Sequence, residues 1–305
     1  MHDSQARRRQ AVTASSPFTC VLDCRATLGE CPVWSPQQQT LYFIDIKAPA
    51  LCRFDPATGA LRQMPMPEQI GSFALMRSGG FLAALRTGLW RLDAEGRVME
   101  KLAANPEVHA TSRFNDGRCD PHGRFFVGTI DETRTGTAGL YRFEAGRLTK
   151  LAEGLMTSNG LAFSPQGDVM YHADTPRLSV FRHAFDAATG TPGKAEVLAT
   201  FASRGPDRGW PDGAAVDAEG CYWCALWQGG RIRRYAPDGE LLAEYPVPAR
   251  SPTMPAFGGP DLRTLYVTSA RVGLTAAELE SSPLSGGLFA MRVETPGLPE
   301  PEYAG

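Results

Sequence analysis

Four short stretches of this 305-residue chain set oxygen-bearing side chains beside turn-forming residues: Gly29-Glu30-Cys31-Pro32, Arg113-Phe114-Asn115-Asp116-Gly117, Ser158-Asn159-Gly160 and Pro211-Asp212-Gly213. Each precedes a short apolar core by nearly the same interval. Eleven residues lead from Glu30 to Leu41, 10 from Asn115 to Phe125, 11 from Asn159 to Met170 and 10 from Asp212 to Tyr222. A common register gives these residues equivalent places in a repeated unit. Two carboxylates and one or two amide oxygens around a shared axis make an all-oxygen donor set suited to a hard divalent cation. Without a cation, the carboxylates would repel each other. Singly, Asn-Gly and Asp-Gly are ordinary turn formers; the shared spacing is what sets them apart. Asp116, beside Asn115, reads as a turn stabiliser, and the second unit carries Ile70-Gly71-Ser72-Phe73 at this place.

The elements that could hold such residues recur. Apolar cores stand at 41–45, 81–85, 125–129, 170–174, 222–226 and 265–269, with intervals of 40, 44, 45, 52 and 43 residues between their first positions. Polar turns such as Asp120-Pro121-His122-Gly123 and Ser164-Pro165-Gln166-Gly167 precede them. A further strand and an Asp/Pro/Gly hairpin cluster follow most of them. A period of this length, made of strands and turns alone, is the signature of a propeller blade. The expectation is an all-β, six-bladed β-propeller forming one domain over residues 18–296. A strand at 18–23 would complete the last blade and leave no bare sheet edge there. A β-sandwich would not keep so steady a period. No stretch has helical periodicity apart from a short turn at 275–280. Innermost propeller strands converge on a central channel, so the four polar motifs should meet there.

Composition excludes several classes. With 31 Lys and Arg against 33 Asp and Glu, the formal net charge is −2, which gives no electrostatic footprint for nucleic acid or an anionic membrane. No apolar run approaches the roughly 20 residues of a spanning helix. Residues 1–17 are polar and include Arg7-Arg8-Arg9 with no apolar segment after them, so a disordered tail and a cytoplasmic protein are expected. Residues 297–305 read as a C-terminal tail. The cysteines (Cys20, Cys24, Cys31, Cys52, Cys119, Cys221, Cys224) number seven and are scattered, as suits reduced thiols. Cys221 and Cys224 lie three apart in a strand and so face opposite sides, which rules out a shared metal. The chain has no G-x-S-x-G elbow, and its five histidines form no H-E-x-x-H set. His172, inside a strand core, reads as packing.

Together, Gly29-Glu30-Cys31-Pro32-Val33-Trp34, Arg113-Phe114-Asn115-Asp116-Gly117, Ser158-Asn159-Gly160-Leu161, Pro211-Asp212-Gly213, Phe257-Gly258-Gly259 and residues 265–271 resemble the family of gluconolactonases, regucalcin (senescence marker protein) and luciferin-regenerating enzymes. The likeness keeps the same order and blade-scale spacing, and is strongest toward bacterial sugar lactonases. It implies a carboxylic-ester hydrolase that opens a sugar aldono-lactone to the aldonic acid, with one divalent ion in the channel. Position by position, it implies Glu30, Asn159 and Asp212 as metal ligands. Asp212 would also be the general base, and Arg113 and Asn115 would contact the substrate. Some family members carry a substrate-binding acid after the third core. This chain has Asp131 and Glu132 there, which makes them the candidates for that contact. Oxygen ligation admits calcium, magnesium, manganese, iron(II) or zinc. The implied partner is a small-molecule sugar lactone, and the protein a monomer or small homo-oligomer. Rival readings are a regucalcin-like calcium-binding protein with little catalysis, another ester hydrolase such as an arylesterase or organophosphatase, and a propeller serving only as an interaction platform.

Overall fold

A computed structural model describes residues 16–305. The tail expected at 1–17 lies outside the described residues apart from Ser16 and Pro17. Six antiparallel sheets of four strands each form the blades of a propeller. The first five blades are meanders in chain order. The sixth combines three strands from the end of the chain with Thr19–Leu22, which pairs with Leu288–Arg292 and closes the ring. The expected closing strand is therefore present.

Each apolar core is the second strand of its blade: Thr40–Asp45, Phe81–Leu85, Phe125–Asp131, Val169–Asp174, Tyr222–Trp227 and Thr264–Ser269. These strands read as continuous apolar runs because neighbouring blades cover both of their faces. In Thr40–Asp45, for example, all six residues are buried. Aromatic clusters seal the joints between blades. Phe126, Phe163 and Phe185 pack mutually at 5.1–5.6 Å between ring centroids, and Trp223 meets Phe257 edge-on at 5.8 Å. Such pairs contribute about 0.5–1.5 kcal/mol beyond the area they bury. The outermost strands, such as Ala60–Pro65 and Thr191–Thr200, are largely exposed. The one α-helix among the described residues, Ala276–Ser281, is capped by Thr275 and Glu278 acting reciprocally.

The polar motifs, which precede the apolar cores in sequence, are themselves part of the innermost strands Gly29–Ser35, Ser112–Cys119, Ser158–Phe163 and Trp210–Val216. Every innermost strand also breaks register against its neighbour at about this level: between Glu30 and Val33, Ile70 and Ser72, Phe114 and Gly117, Asn159 and Ala162, Pro211 and Ala214, and Pro252 and Pro255. A bulge puts an extra residue against the partner strand and re-aims the side chains around it. Four of these six breaks contain or adjoin a side chain that lines one cavity: Glu30, Asn115, Asn159 and Asp212.

The C-terminal segment is docked. Tyr303 is buried, stacks on Phe143 at 5.7 Å, and bridges Met76 in parallel. Glu300 pairs with buried Arg118 at 3.1 Å. The last residues of the innermost strands (Trp34, Arg118, Phe163, Phe257) line a cavity of about 390 Å³ with Leu298 and Glu300. The first residues of Gly29–Ser35, Ser112–Cys119, Ser158–Phe163 and Trp210–Val216 line the cavity described next, so the two lie at opposite ends of the channel.

Candidate active site

A cavity of about 350 Å³ opens at the starting end of the innermost strands, within the range common for small-molecule sites. Its lining includes Glu30, Arg113, Asn115, Asn159 and Asp212. The structure thus brings together five of the seven residues singled out from the sequence. The bulges explain their convergence. Asn115 and Asp212 sit within theirs, and Glu30 and Asn159 immediately precede theirs. Gly160 is needed in the bulge after Asn159, with φ of 59°. A side chain there would meet the Tyr222 hydroxyl at 2.3 Å, and that hydroxyl donates to the Gly160 carbonyl at 2.8 Å.

The side chains form a connected relay across three blades. Arg113 donates to Asn115 Oδ1 at 2.7 Å, and Asn115 Nδ2 donates to Asn159 Oδ1 at 2.9 Å. Asn159 Nδ2 donates to Asp212 Oδ1 at 2.8 Å and to Thr175 Oγ1 at 2.8 Å. The Asn159 amide orientation follows from this network of donors and acceptors. Asp116 does more than hold its own turn. Its Oδ2 accepts from Leu161 N in the next blade at 2.9 Å, while its buried Oδ1 has no partner.

Electrostatics mark the site. Asp116 and Asp212 are buried and Glu30 is partly exposed at the cavity wall, and none of the three carboxylates forms an ion pair among the described residues. Burial, with Asp212 and Asp116 nearby, pushes the Glu30 carboxyl well above the usual range. Burial and Asp116 do the same to Asp212. The cation beside them does not neutralise them. Arg113 directs its guanidinium to the Phe114 carbonyl at 3.0 Å and to Asn115, and burial pushes its pKa down to about 10. Buried charges in proteins are normally paired or bound to metal. Glu30, Asn159 and Asp212 supply oxygen donors where positive charge is lacking, so their chemistry fits a hard divalent cation.

Asp131 and Glu132 do not line the cavity. Both Asp131 oxygens are taken up by their own loop. Oδ1 accepts from Thr133 N and Oγ1, and Oδ2 from Thr135 N and Oγ1, Gly136 N and Thr137 N. Burial acts to raise this carboxyl, but the bonds from Thr133, Thr137 and Thr135 outweigh it and hold it below the usual range. Glu132 pairs with Arg86 at 3.0 Å. The residue this loop does bring to the cavity is Arg134. Sequence reasoning passed over it, along with Thr175, which lies beside Asn159 and donates to the Pro211 carbonyl at 2.7 Å. The Asp-x-Thr-x-Thr-Gly pattern at 131–136 was the available signal for a self-bonded loop. Nothing in the sequence pointed to Thr175.

Two other groups are closed. Asp217, Glu219 and Cys221 bring ligand atoms within 4.8 Å of one another, but Asp217 already binds Arg234 and Trp223 Nε1. His172 is buried within its blade against Ser158 Oγ at 2.7 Å, and burial pushes its pKa down to about 3, so it is a neutral packing residue.

Fold and site define a six-bladed propeller with a buried, oxygen-rich polar centre on its axis. The chain belongs to the SMP-30/gluconolactonase/LRE-like family, whose model matches residues 28–271. It is similar to a 6-deoxy-6-sulfogluconolactonase of Pseudomonas putida, with 49% identity over 94% of this chain and 98% of the relative. It is also similar to a pentonolactonase of Haloferax volcanii, with 35% identity over 92% and 96% of the two chains. Among solved structures, regucalcin from Agrobacterium tumefaciens, described as a calcium-binding protein, superposes with a TM-score of 0.88 at 34% identity, covering 93% and 96%. Lactonases hydrolyse cyclic esters, and the family is one of sugar-lactone hydrolases. No helix among the described residues is long and apolar enough to cross a membrane.

Proposed function

We propose that this protein is a metal-dependent sugar lactonase that opens an aldono-lactone to its aldonic acid. The observation that carries this reading is the cluster of carboxylates at the propeller centre, Asp116 and Asp212 buried and Glu30 partly exposed, with no ion-pair partner. Glu30, Asn159 and Asp212 would hold one divalent cation, which supplies Lewis acidity toward the lactone carbonyl oxygen.

The chain's own groups perform the rest. Asp212, whose Oδ1 is held by Asn159, accepts a proton from the attacking water as the water oxygen bonds to the carbonyl carbon. The ring C–O bond then breaks. The leaving oxygen takes up the proton that Asp212 accepted, which restores the Asp212 carboxylate, so that one water is consumed and one carboxylic acid and one hydroxyl appear. Arg113 and Asn115, fixed to each other at 2.7 Å, orient substrate hydroxyls and save the entropy of finding the pose. No covalent nucleophile is required.

The test strips the purified protein of metal and follows acid release from a panel of aldono-lactones, with divalent ions added back singly and spontaneous hydrolysis subtracted. Restored turnover with one ion supports the reading. Loss of nothing on stripping would refute its metal dependence, and no turnover with any ion would refute the lactonase itself. The regucalcin likeness favours a second reading, a calcium binder with little catalysis. That reading expects selective calcium binding by calorimetry and no turnover of any lactone.

A further inference from the structure

The loop that disappoints as an acid donor is built for another purpose. Six hydrogen bonds converge on the Asp131 carboxylate from residues 133–137. At its centre Arg134 adopts the left-handed region, with φ of 58°, and its N–H donates to the Asp131 carbonyl at 3.0 Å. A non-glycine residue in this conformation persists only where its surroundings fix it. The scaffold therefore fixes the backbone from which Arg134 projects, and Arg134 lines the cavity.

Its guanidinium stands apart from the others nearby. Arg113 is spent on Phe114 and Asn115, Arg86 on Glu132 and Gln69, and Arg177 on Asp174 and the Gly154 carbonyl. Arg134 is exposed, and its side chain has no partner among the described residues. The cavity thus has an acidic floor, Glu30 and Asp212, and an uncommitted cation at its rim. A neutral sugar lactone would use the floor and leave the rim cation idle. A substrate with its carbonyl over the floor and an anion on its far end would use both.

We propose that Arg134 is a specificity-determining residue that binds a tetrahedral oxyanion, sulfonate or phosphate, on the exocyclic carbon of the sugar lactone. This inference rests on the lactonase reading for the placement of the carbonyl end. Arginine suits the role because its planar fork donates to two oxyanion oxygens at once. The 49%-identical relative is named for a lactone that carries a 6-sulfo group, at the end remote from the carbonyl.

The experiment measures kcat and KM of the metal-loaded wild type, Arg134→Gln and Arg134→Lys. The substrates are glucono-1,5-lactone, 6-deoxy-6-sulfogluconolactone and 6-phosphogluconolactone. The expected result is a preference of the wild type for one anionic lactone over the neutral one. In Arg134→Gln that preference falls by about tenfold or more, carried by KM, and Arg134→Lys restores part of it. The anion whose arm falls is the one recognised. A purely structural role for Arg134 would lower all three substrates together, and an unchanged ratio overturns the proposal. If the wild type opens none of the lactones, the lactonase reading fails. Calorimetry of 6-deoxy-6-sulfogluconate against gluconate then decides for Arg134: equal binding of the two acids, or sulfonate binding that survives Arg134→Gln, overturns it.

Discussion

Asp212→Asn should shift thermal stability in opposite senses with and without metal. In protein stripped of divalent ions, burial and neighbouring carboxylates hold the Glu30 and Asp212 carboxyls well above their usual range. A group raised in the folded state adds stability while it is protonated. That stability is lost as pH rises from the usual carboxylate range toward the raised value. Over that window, each pH step at which the folded state holds one proton more than the unfolded chain removes about 1.4 kcal/mol. Stripped wild type should therefore lose melting temperature as pH is raised above the usual carboxylate range, and Asp212→Asn, with one such group fewer, should lose less. Addition of the cognate ion reverses the order. At a concentration of about 100 times Kd it stabilises the wild type by about 2.7 kcal/mol. At about 2–4 °C per kcal/mol that is a rise of roughly 5–10 °C. The variant, short of one ligand, should rise by less than about 2 °C and show no turnover. Differential scanning fluorimetry with calcium, magnesium, manganese, iron(II) and zinc measures both effects. The reasoning is refuted if no ion raises the wild type, or if the variant rises as far.

Three further outcomes are expected. Tyr303→Ala removes a buried ring from its stack on Phe143 and should lower urea stability by about 3–5 kcal/mol. Because Tyr303 lies far from the candidate site, kcat should stay within about twofold; a loss of activity in fully folded protein would contradict this. Asp131→Ala should release the 131–137 loop, seen as faster amide exchange confined to residues 132–137 and a higher KM with little change in kcat, and unchanged exchange would refute the hub role. Of the seven cysteines, only Cys20 and Cys24 are partly accessible, so an aromatic disulfide reagent should titrate at most two thiols before unfolding and seven after it; early reaction of a third would show that a blade opens.

The blade period was legible because each second strand is apolar on both faces and each turn is written in Asp, Pro and Gly. The same period located Glu30, Asn115, Asn159 and Asp212. The bulges that aim these side chains were not legible. They depend on backbone choices such as φ of 48° at Cys31, a residue with no particular preference for that region. Asp131 misled for a related reason, since an acidic residue after a core looks the same whether its oxygens face a ligand or its own loop. Residues 297–305, rich in proline and without periodicity, read as a tail. Yet Tyr303 and Glu300 find partners on the body of the ring, through contacts between distant parts of the chain that no local pattern encodes.

The seam in the sixth blade sets a timetable for the molecule. Cys20 pairs with Phe289, so the strand made first in this domain waits for one of the last. At about 5–20 residues per second, a ribosome needs roughly 15–50 s to supply the partner. Throughout that interval the edge of Thr19–Leu22 offers unpaired backbone groups to any other strand in reach. Five blades can form as meanders from local chain, whereas closure of the ring must be among the final events. Once made, it ties together two ends that would otherwise fray independently.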